Sequence, residues 1–176
     1  MTCHICNKVM IAEKIKLYHY KESGLDSVYL AGVTSLRCEN GHKLVHIPYI
    51  EMLHDAIGYD LLKKPDLLVP KEFTFIRKWI GLTMAEVAKA LGLSRMTIHR
   101  CEKVKDYITR PHDHLLRMLA AKRKERSCQR QMYAQILMDE LFEKLGSKHP
   151  KAAKITIDVE DLPQHPCRAS RESLGA

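Results

Sequence analysis

Two short clusters of metal-binding residue types lie in the first quarter of the chain. Cys3 and Cys6 form a Cys-x-x-Cys knuckle, and about thirty residues later Cys38 and His42 flank a second tight turn. Two ligands from each of two such turns surround a tetrahedral ion in small structural zinc sites. The pattern therefore predicts a closed zinc site whose ligands are Cys3, Cys6, Cys38 and His42.

The fourth ligand is the irregular position of this set. A regular second knuckle has cysteine at position 41, where this chain has Gly41. His42 is the leading candidate, with His46 and His4 as alternatives, because sites with three cysteines and one histidine are well precedented. A redox role for the knuckle is disfavoured, since a thioredoxin-type motif follows a strand and too few residues precede Cys3 to form one.

The other three cysteines lack this kind of spacing, and we expect Cys101, Cys128 and Cys167 to be buried or incidental thiols. No apolar run approaches the roughly 20 residues that span a bilayer, and no signal peptide precedes Cys3. We therefore expect a cytoplasmic protein without membrane contact, whose cysteines stay reduced and available to a metal.

A second pattern with chemical meaning covers residues 81–102. Thr83 with Glu86 forms a capping box that begins one helix, and Ser94 caps the next helix after a turn at Gly92. The spacing predicts two helices joined by a tight corner, which is a helix-turn-helix. The residues expected to pack at this corner are Ala85, Val87, Ala88, Leu91, Leu93 and Ile98.

The second helix of such a motif enters the major groove of DNA. Its predicted DNA-binding residues are Ser94, Arg95, Met96, Thr97, His99, Arg100 and Lys103. Arg100 suits guanine O6 and N7, and Thr97 or Met96 suits a thymine methyl group. The side chains better suited to phosphates are Ser94, Lys103, Lys105 and Arg110.

The charge distribution agrees with an anionic partner. The chain carries a formal charge of +8, with 45% hydrophobic and 28% charged residues. Residues 70–126 contain 14 lysines and arginines against 6 acidic residues, whereas residues 1–69 and 127–176 are each neutral. The basic excess thus coincides with the helix-turn-helix, as expected of a segment that approaches DNA.

The elements that position these residues follow from hydrophobic periodicity. Strand-like patterns at residues 15–20, 28–30 and 44–47 predict a short β-sheet, and helical spacing follows from Ile50 to Leu61. Residues 58–70, with one glycine and two prolines, read as a linker with a few apolar anchors rather than as a regular element.

The sequence as a whole predicts an α+β chain. We expect a small zinc-bound β-rich domain at residues 1–62, a linker at 63–70 and an all-α helix-turn-helix bundle at 71–126. An amphipathic helix at residues 127–145 follows, packing on the bundle or on a second subunit. Residues 146–176 are expected to be a mobile tail that contains a short strand near residues 155–159.

The sequence resembles the MqsA family of antitoxins and autoregulators, which join a YgiT-type zinc finger to a Cro/repressor-type helix-turn-helix. The resemblance covers about residues 1–121. It rests on the Cys3–Cys6 knuckle, residues 20–30, Cys38 to His42, Ile47-Pro48 and the motif of residues 81–102.

The resemblance implies an N-terminal zinc domain that can hold a partner protein and a C-terminal domain that binds a palindromic operator as a homodimer. Arg100 falls on the family's base-contacting arginine. Met96 falls where a family member can carry a base-reading asparagine, so we expect a different operator.

Three functions follow as hypotheses. The first is a DNA-binding autorepressor, either antitoxin-like or a stand-alone phage or bacterial regulator, and the second is an antitoxin whose main role is to neutralise a toxin through the zinc domain. An enzyme is disfavoured, because no catalytic constellation is visible and a fully ligated zinc has no open position.

Overall fold

The computed structural model describes residues 1–103, 108–128 and 152–162. Within them the chain is mixed α+β, with five strands first, five helices after them and a sixth strand last. The strands are β1 (Met10–Ile15), β2 (Tyr18–His19), β3 (Val28–Ala31), β4 (Val33–Cys38), β5 (Lys43–His46) and β6 (Ile155–Asp158). The helices are α1 (Ile50–Lys63), α2 (Pro70–Trp79), α3 (Met84–Leu91), α4 (Arg95–Glu102) and α5 (Arg110–Cys128). None of the described helices is both long and apolar enough to cross a membrane.

The strands form two three-stranded sheets rather than one. The first sheet has the antiparallel order β1-β4-β5, and the second has the order β2-β3-β6. The strand predicted at residues 15–20 is wrong as one element, because the chain leaves the first sheet after Ile15 and enters the second at Tyr18. The predicted strands at 28–30 and 44–47 are confirmed as β3 and β5.

The C-terminal strand β6 is part of the fold. It pairs with β3 in parallel, with Val28 opposite Ile155, and the Ile155 amide donates to the Ser27 carbonyl at 2.9 Å. Ile155, Val159 and Leu162 are all buried. The short strand predicted near residues 155–159 is therefore confirmed as β6, whereas the mobile tail predicted around it is wrong for the flanking described residues, where Val159 and Leu162 are buried. The rest of the predicted tail, and the predicted helix 127–145 beyond Cys128, lie outside the described residues.

One large hydrophobic core joins the second sheet to all five helices. Helix α1 contributes Leu53, Ile57 and Leu61, whose spacing places them on one face. Strands β3 and β6 contribute Val28, Leu30 and Ile155. The strand residues before α1 and the helices after it therefore share one apolar interior.

Helix α1 continues through part of the predicted linker. Residues 58–70 read as lacking regular structure although the helical spacing extends to Leu61, and Gly58 is a buried residue inside α1. A Cβ atom at this position would lie 2.5 Å from the Trp79 ring. The linker prediction is therefore wrong for residues 58–63, because the glycine serves close packing of α1 against α2 rather than a helix end.

The connection between α1 and α2 is held by buried charged groups. The Lys64 ammonium donates to the Glu72 carboxylate at 2.6 Å, and both side chains are at most 5% exposed. The same carboxylate accepts from the amides of Val69 and Ala153, each at 2.9 Å. Glu72 thus ties the connection and the C-terminal segment to α2.

Arg117 performs a similar role from α5. Its fully buried guanidinium pairs with Asp113 at 2.8 Å and donates to the carbonyl oxygens of Leu62, Lys64 and Asp66. Asp113 in turn accepts from the Leu68 amide at 3.0 Å. The ion pair therefore satisfies backbone groups at the end of α1 that would otherwise lose their hydrogen bonds on burial.

Candidate metal centre and exposed helix

The first sheet brings the four predicted metal ligands together. Strand pairing sets Met10 opposite Cys38, so the Cys3–Cys6 turn before β1 meets the turn that follows β4. The ligand atoms of the four residues all lie within 4.8 Å of one another; they are Cys3, Cys6, Cys38 and His42. This cluster could hold a metal ion.

The spacing inside the cluster matches the edges of a small coordination tetrahedron. His42 Nδ1 lies 3.6 Å from Cys3 Sγ and 3.4 Å from Cys38 Sγ, and Cys6 Sγ lies 3.7 Å from Cys38 Sγ. Standard zinc bond lengths give edges of about 3.8 Å between two sulfurs and about 3.6 Å between sulfur and nitrogen. Three of the six donor–donor distances therefore match the edges expected around a zinc ion, and all six are at most 4.8 Å.

Backbone geometry shapes each ligand turn. The Cys3 amide donates to the Lys8 carbonyl and the Asn7 amide to the Cys3 carbonyl, each at 2.8 Å. In the second turn Gly41 has φ of +82° and its amide donates to the Cys38 carbonyl at 2.9 Å. Glycine adopts this left-handed conformation without strain, so Gly41 folds the turn that brings His42 to the sulfurs.

The alternative fourth ligands lie away from the cluster. His4 and His46 are both exposed, and neither belongs to the group of donors that lie together. The departure from a regular knuckle at position 41 therefore moves the ligand one residue along, to His42.

The surroundings of Cys3 favour its thiolate, whereas the pKa of the neighbouring Cys6 thiol is raised. A backbone hydrogen bond from Ile5 is the largest influence on Cys3, and the pKa of its thiol is lowered to about 6. The thiolate is the form that ligates metal. Around the cluster the apolar cover is thin, since the separate small core there contains only Cys3, Met10 and Cys38 as buried members among the described residues.

Helices α3 and α4 have the predicted termini. Thr83 accepts from the Glu86 amide at 3.2 Å, and the Glu86 carboxylate accepts from the Thr83 amide at 2.7 Å, which completes the capping box. Gly92 ends α3 with φ of +66°, and Ser94 caps α4 by accepting from the Thr97 amide at 3.0 Å. The predicted start of α3, the turn at Gly92 and the start of α4 are therefore confirmed.

The two helices bury the expected apolar positions with one exception. Val87, Ala88, Leu91 and Ile98 are buried, and Leu93 packs against the same core. Ala85 is exposed, so the prediction that it lies at the close approach of the two helices is wrong. Its place on α3 faces solvent rather than the corner.

The outer face of α4 carries most of the predicted DNA-binding residues. The exposed members of that set are Ser94, Arg95, Met96, His99, Arg100 and Lys103. Thr97 is half-buried, and its hydroxyl lies 2.9 Å from that of Ser94. Ile98 and Cys101 anchor the opposite face in the core. The structure thus places one polar, basic face outward. Lys105 lies outside the described residues.

A nearly buried ion pair fixes the end of α4, and sequence reasoning missed it. Arg77 of α2 donates to both carboxylate oxygens of Glu102, at 2.5 and 3.2 Å, and also to the Leu82 carbonyl at 2.8 Å. The side chains are 10% and 8% exposed. A charged residue in a helix is normally expected to be exposed to solvent. Only the apolar residues that surround Arg77 in α2 could have suggested that its side chain points inward.

No protein-family model, curated protein or solved structure matches this chain. The resemblance to the MqsA family therefore stays a prediction that rests on the motifs of residues 1–121.

Proposed function

We propose that this protein is a zinc-containing, sequence-specific DNA-binding regulator that represses transcription by occupying its operator. The observation that carries the proposal is the capped pair α3 and α4, whose outer helix turns a basic face to solvent while its inner face is fixed in the core. A rigid helix with exposed side chains is what reading of base edges requires.

The metal in this proposal is zinc. Cys3, Cys6, Cys38 and His42 would complete its coordination shell, and the ion would supply folding free energy to the first sheet. Four protein ligands leave no position for water or substrate. We therefore assign the ion a structural rather than a catalytic role.

Arg100 is the residue proposed to read a base. It is exposed on α4 one residue before Cys101, which is buried, so the helix backbone beneath it is fixed. A guanidinium held in this way can donate two hydrogen bonds to guanine O6 and N7. Arg95 and Lys103, at the two ends of α4, are proposed to contact phosphates and so to set the register.

Footprinting on DNA from upstream of the protein's own reading frame tests the proposal. We expect protection of a two-fold symmetric site, with half-sites about one helical turn apart, bound by a homodimer. Binding should weaken steeply with salt. Arg100→Ala should lose about 1–3 kcal/mol, which is about 5- to 150-fold in affinity.

Arg37→Ala is the matched control, because Arg37 is an exposed arginine in β4 and its removal changes the net charge equally. The control should retain the footprint. If both variants lose affinity alike, the binding is a nonspecific charge effect. If neither variant changes a symmetric footprint, α4 is not the reading element.

A second candidate function is neutralisation of a toxin protein through the metal-bound sheet. Ile5, Val9 and Ile11 are exposed by 63%, 69% and 71%, and they lie beside the metal cluster at strand β1. On the edge of β1 away from β4, the Met10 amide donates to the Met1 carbonyl at 3.0 Å, and beyond Met10 no described strand pairs with this edge. Exposed apolar side chains at an open strand edge are typical of surfaces that bind another protein.

Ile11→Lys separates the two candidates. The change leaves α4 untouched, so operator binding should persist, whereas capture of a toxin encoded beside this gene should fail. A toxin complex that forms equally well with Ile11→Lys would contradict a role for this strand edge.

A further inference from the structure

A cleft of about 450 Å³ lies between α2, α1 and the turn before β3. Its walls come from the 3-10 turn at Lys21–Ser23, from the outer face of α2, and from the last residue of α4. This volume falls within the range of small-molecule sites. The cleft contains none of the proposed metal ligands or base-reading residues.

Aromatic rings give the cleft an apolar lining. Phe75 and Trp79 lie one helical turn apart on α2, and His54 meets the edge of Phe75 with ring centroids 5.9 Å apart. His54 Nε2 lies 3.0 Å from the Tyr20 hydroxyl, and burial lowers the pKa of its ring. The histidine is therefore neutral near pH 7 and adds ring surface rather than charge.

Three of the four charged residues that line the cleft are committed elsewhere. Lys71 pairs with Asp26 at 2.5 Å, and both oxygens of Glu102 are held by Arg77. Glu22 accepts from the Tyr18 hydroxyl at 2.6 Å. These contacts leave each group with a hydrogen-bond partner before any ligand enters.

Lys78 is the exception among the cleft's charges. Its side chain is exposed, and within the part of the chain that the structure describes it has no ion-pair or hydrogen-bond partner. It follows Arg77 on α2 and stands beside Trp79, so a free ammonium borders the aromatic lining. A ligand anion can meet this group without displacing an existing contact.

We propose that this cleft binds a small carboxylate with a compact aromatic or apolar body. The body would lie against Phe75 and Trp79, and the carboxylate would accept from Lys78. A few polar contacts that orient a mostly apolar ligand are typical of such sites. The proposal requires neither DNA nor a bound metal, so it stands independently of the proposed function.

The chain supplies its own reporter, because Trp79 is its single tryptophan. Phenylacetate is the probe, and 2-phenylethanol, which keeps the ring but has no charge, is its neutral counterpart. We expect phenylacetate to change Trp79 fluorescence saturably and to shift the indole N–H signal in an NMR titration. The alcohol should bind about tenfold more weakly, since it lacks the charged hydrogen bond.

Lys78→Gln should weaken phenylacetate binding by about tenfold and leave the alcohol unaffected, because one charge-assisted contact is lost. Lys89→Gln, an exposed lysine of α3 outside the cleft, is the matched control and should bind normally. Thr74→Phe, which fills the cleft from α2, should abolish binding of both probes. Non-saturating changes, or equal affinities in Lys78→Gln and the native chain, would overturn the proposal.

Discussion

The two three-stranded sheets have different sources of stability. In the β1-β4-β5 sheet, Val33 of β4 is the one strand residue buried in the large core, residues 11–14 of β1 are exposed, and the small core beside the sheet depends on Cys3, Met10 and Cys38. In the β2-β3-β6 sheet, Val28, Leu30 and Ile155 are at most 5% exposed and belong to the large core. Strands that follow each other directly in sequence, such as β1 and β2, therefore pack into different hydrophobic cores.

The difference also separates two kinds of stabilisation. A sheet with few apolar contacts can be held by a metal ion, because the free energy of binding becomes free energy of folding. A sheet packed on helices draws on burial of apolar area instead. The two sheets should therefore respond to different perturbations, and the following experiments test that separation.

Metal removal should have the largest effect, and it should be confined to the first sheet. Zinc-finger peptides gain about 10–16 kcal/mol from structural zinc. With a chelator, or in Cys3→Ser, we expect loss of bound zinc and of NMR dispersion for residues 1–15 and 33–46, with the helices retained. Zinc content by elemental analysis and residue-resolved NMR measure this.

Cys101→Ser is the control for this experiment, because Cys101 is buried in the large core and lies outside the metal cluster. It should keep one zinc per chain. If the first sheet stays ordered without metal, metal binding does not stabilise it, and the two sheets do not differ in their source of stability.

Arg117→Met should damage the large core and leave the metal site intact. The substitution leaves the buried Asp113 carboxylate without its cation. It also removes the donors to the carbonyl groups of Leu62, Lys64 and Asp66. We expect a loss of about 3–5 kcal/mol in the free energy of unfolding by urea, with unchanged zinc content. Arg123→Met, an exposed position on the same helix, should change stability by less than about 0.5 kcal/mol.

Ile155→Ala tests whether the second sheet shares the large core. Ile155 is 5% exposed, and its truncation should cost about 2–4 kcal/mol in unfolding free energy. Thr156, the next residue of β6, is exposed, so Thr156→Ala should have a much smaller effect. Equal effects of the two changes would mean that β6 only covers the sheet edge.

Two histidines should give the large core a mild dependence on pH. Burial lowers the pKa of His54 and of His114. Their neutral forms are therefore favoured by folding, so stability is complete above the ordinary histidine pKa of about 6.5 and is lost as pH falls below it. Urea unfolding between pH 7 and 5 measures the slope.

The double variant His54→Gln, His114→Gln serves as the comparison for this slope. It should lose less stability than the native chain over the same range, whereas any loss of metal at low pH would affect both proteins equally. Identical slopes would show that neither histidine contributes.

Local patterns were sufficient for some of this structure. The caps at Thr83 and Ser94, the helical spacing of α1 and the ligand cluster all depend on residues close in sequence or on a known ligand set, and each is found as expected. Such signals are local because a cap or a knuckle is formed within one turn of chain.

Long-range pairing and buried charge could not be predicted in the same way. The split of residues 15–20 between two sheets depends on which distant strand offers a partner, and the pairing of β3 with β6 joins residues more than a hundred positions apart. Arg77 and Arg117 read as surface cations, although each is buried against carboxylates and carbonyl groups. Gly58 likewise reads as a helix breaker until Trp79 is seen beside it.

The parallel pairing of β6 with β3 has a consequence for protein synthesis. All four proposed metal ligands lie within the first 42 residues, so they emerge from the ribosome long before the chain is complete. The first sheet can therefore fold early. Strand β3 must wait until Ile155 has been made before its second neighbour exists. During translation its unpaired edge and the buried side chains beneath it are exposed to other chains and to chaperones.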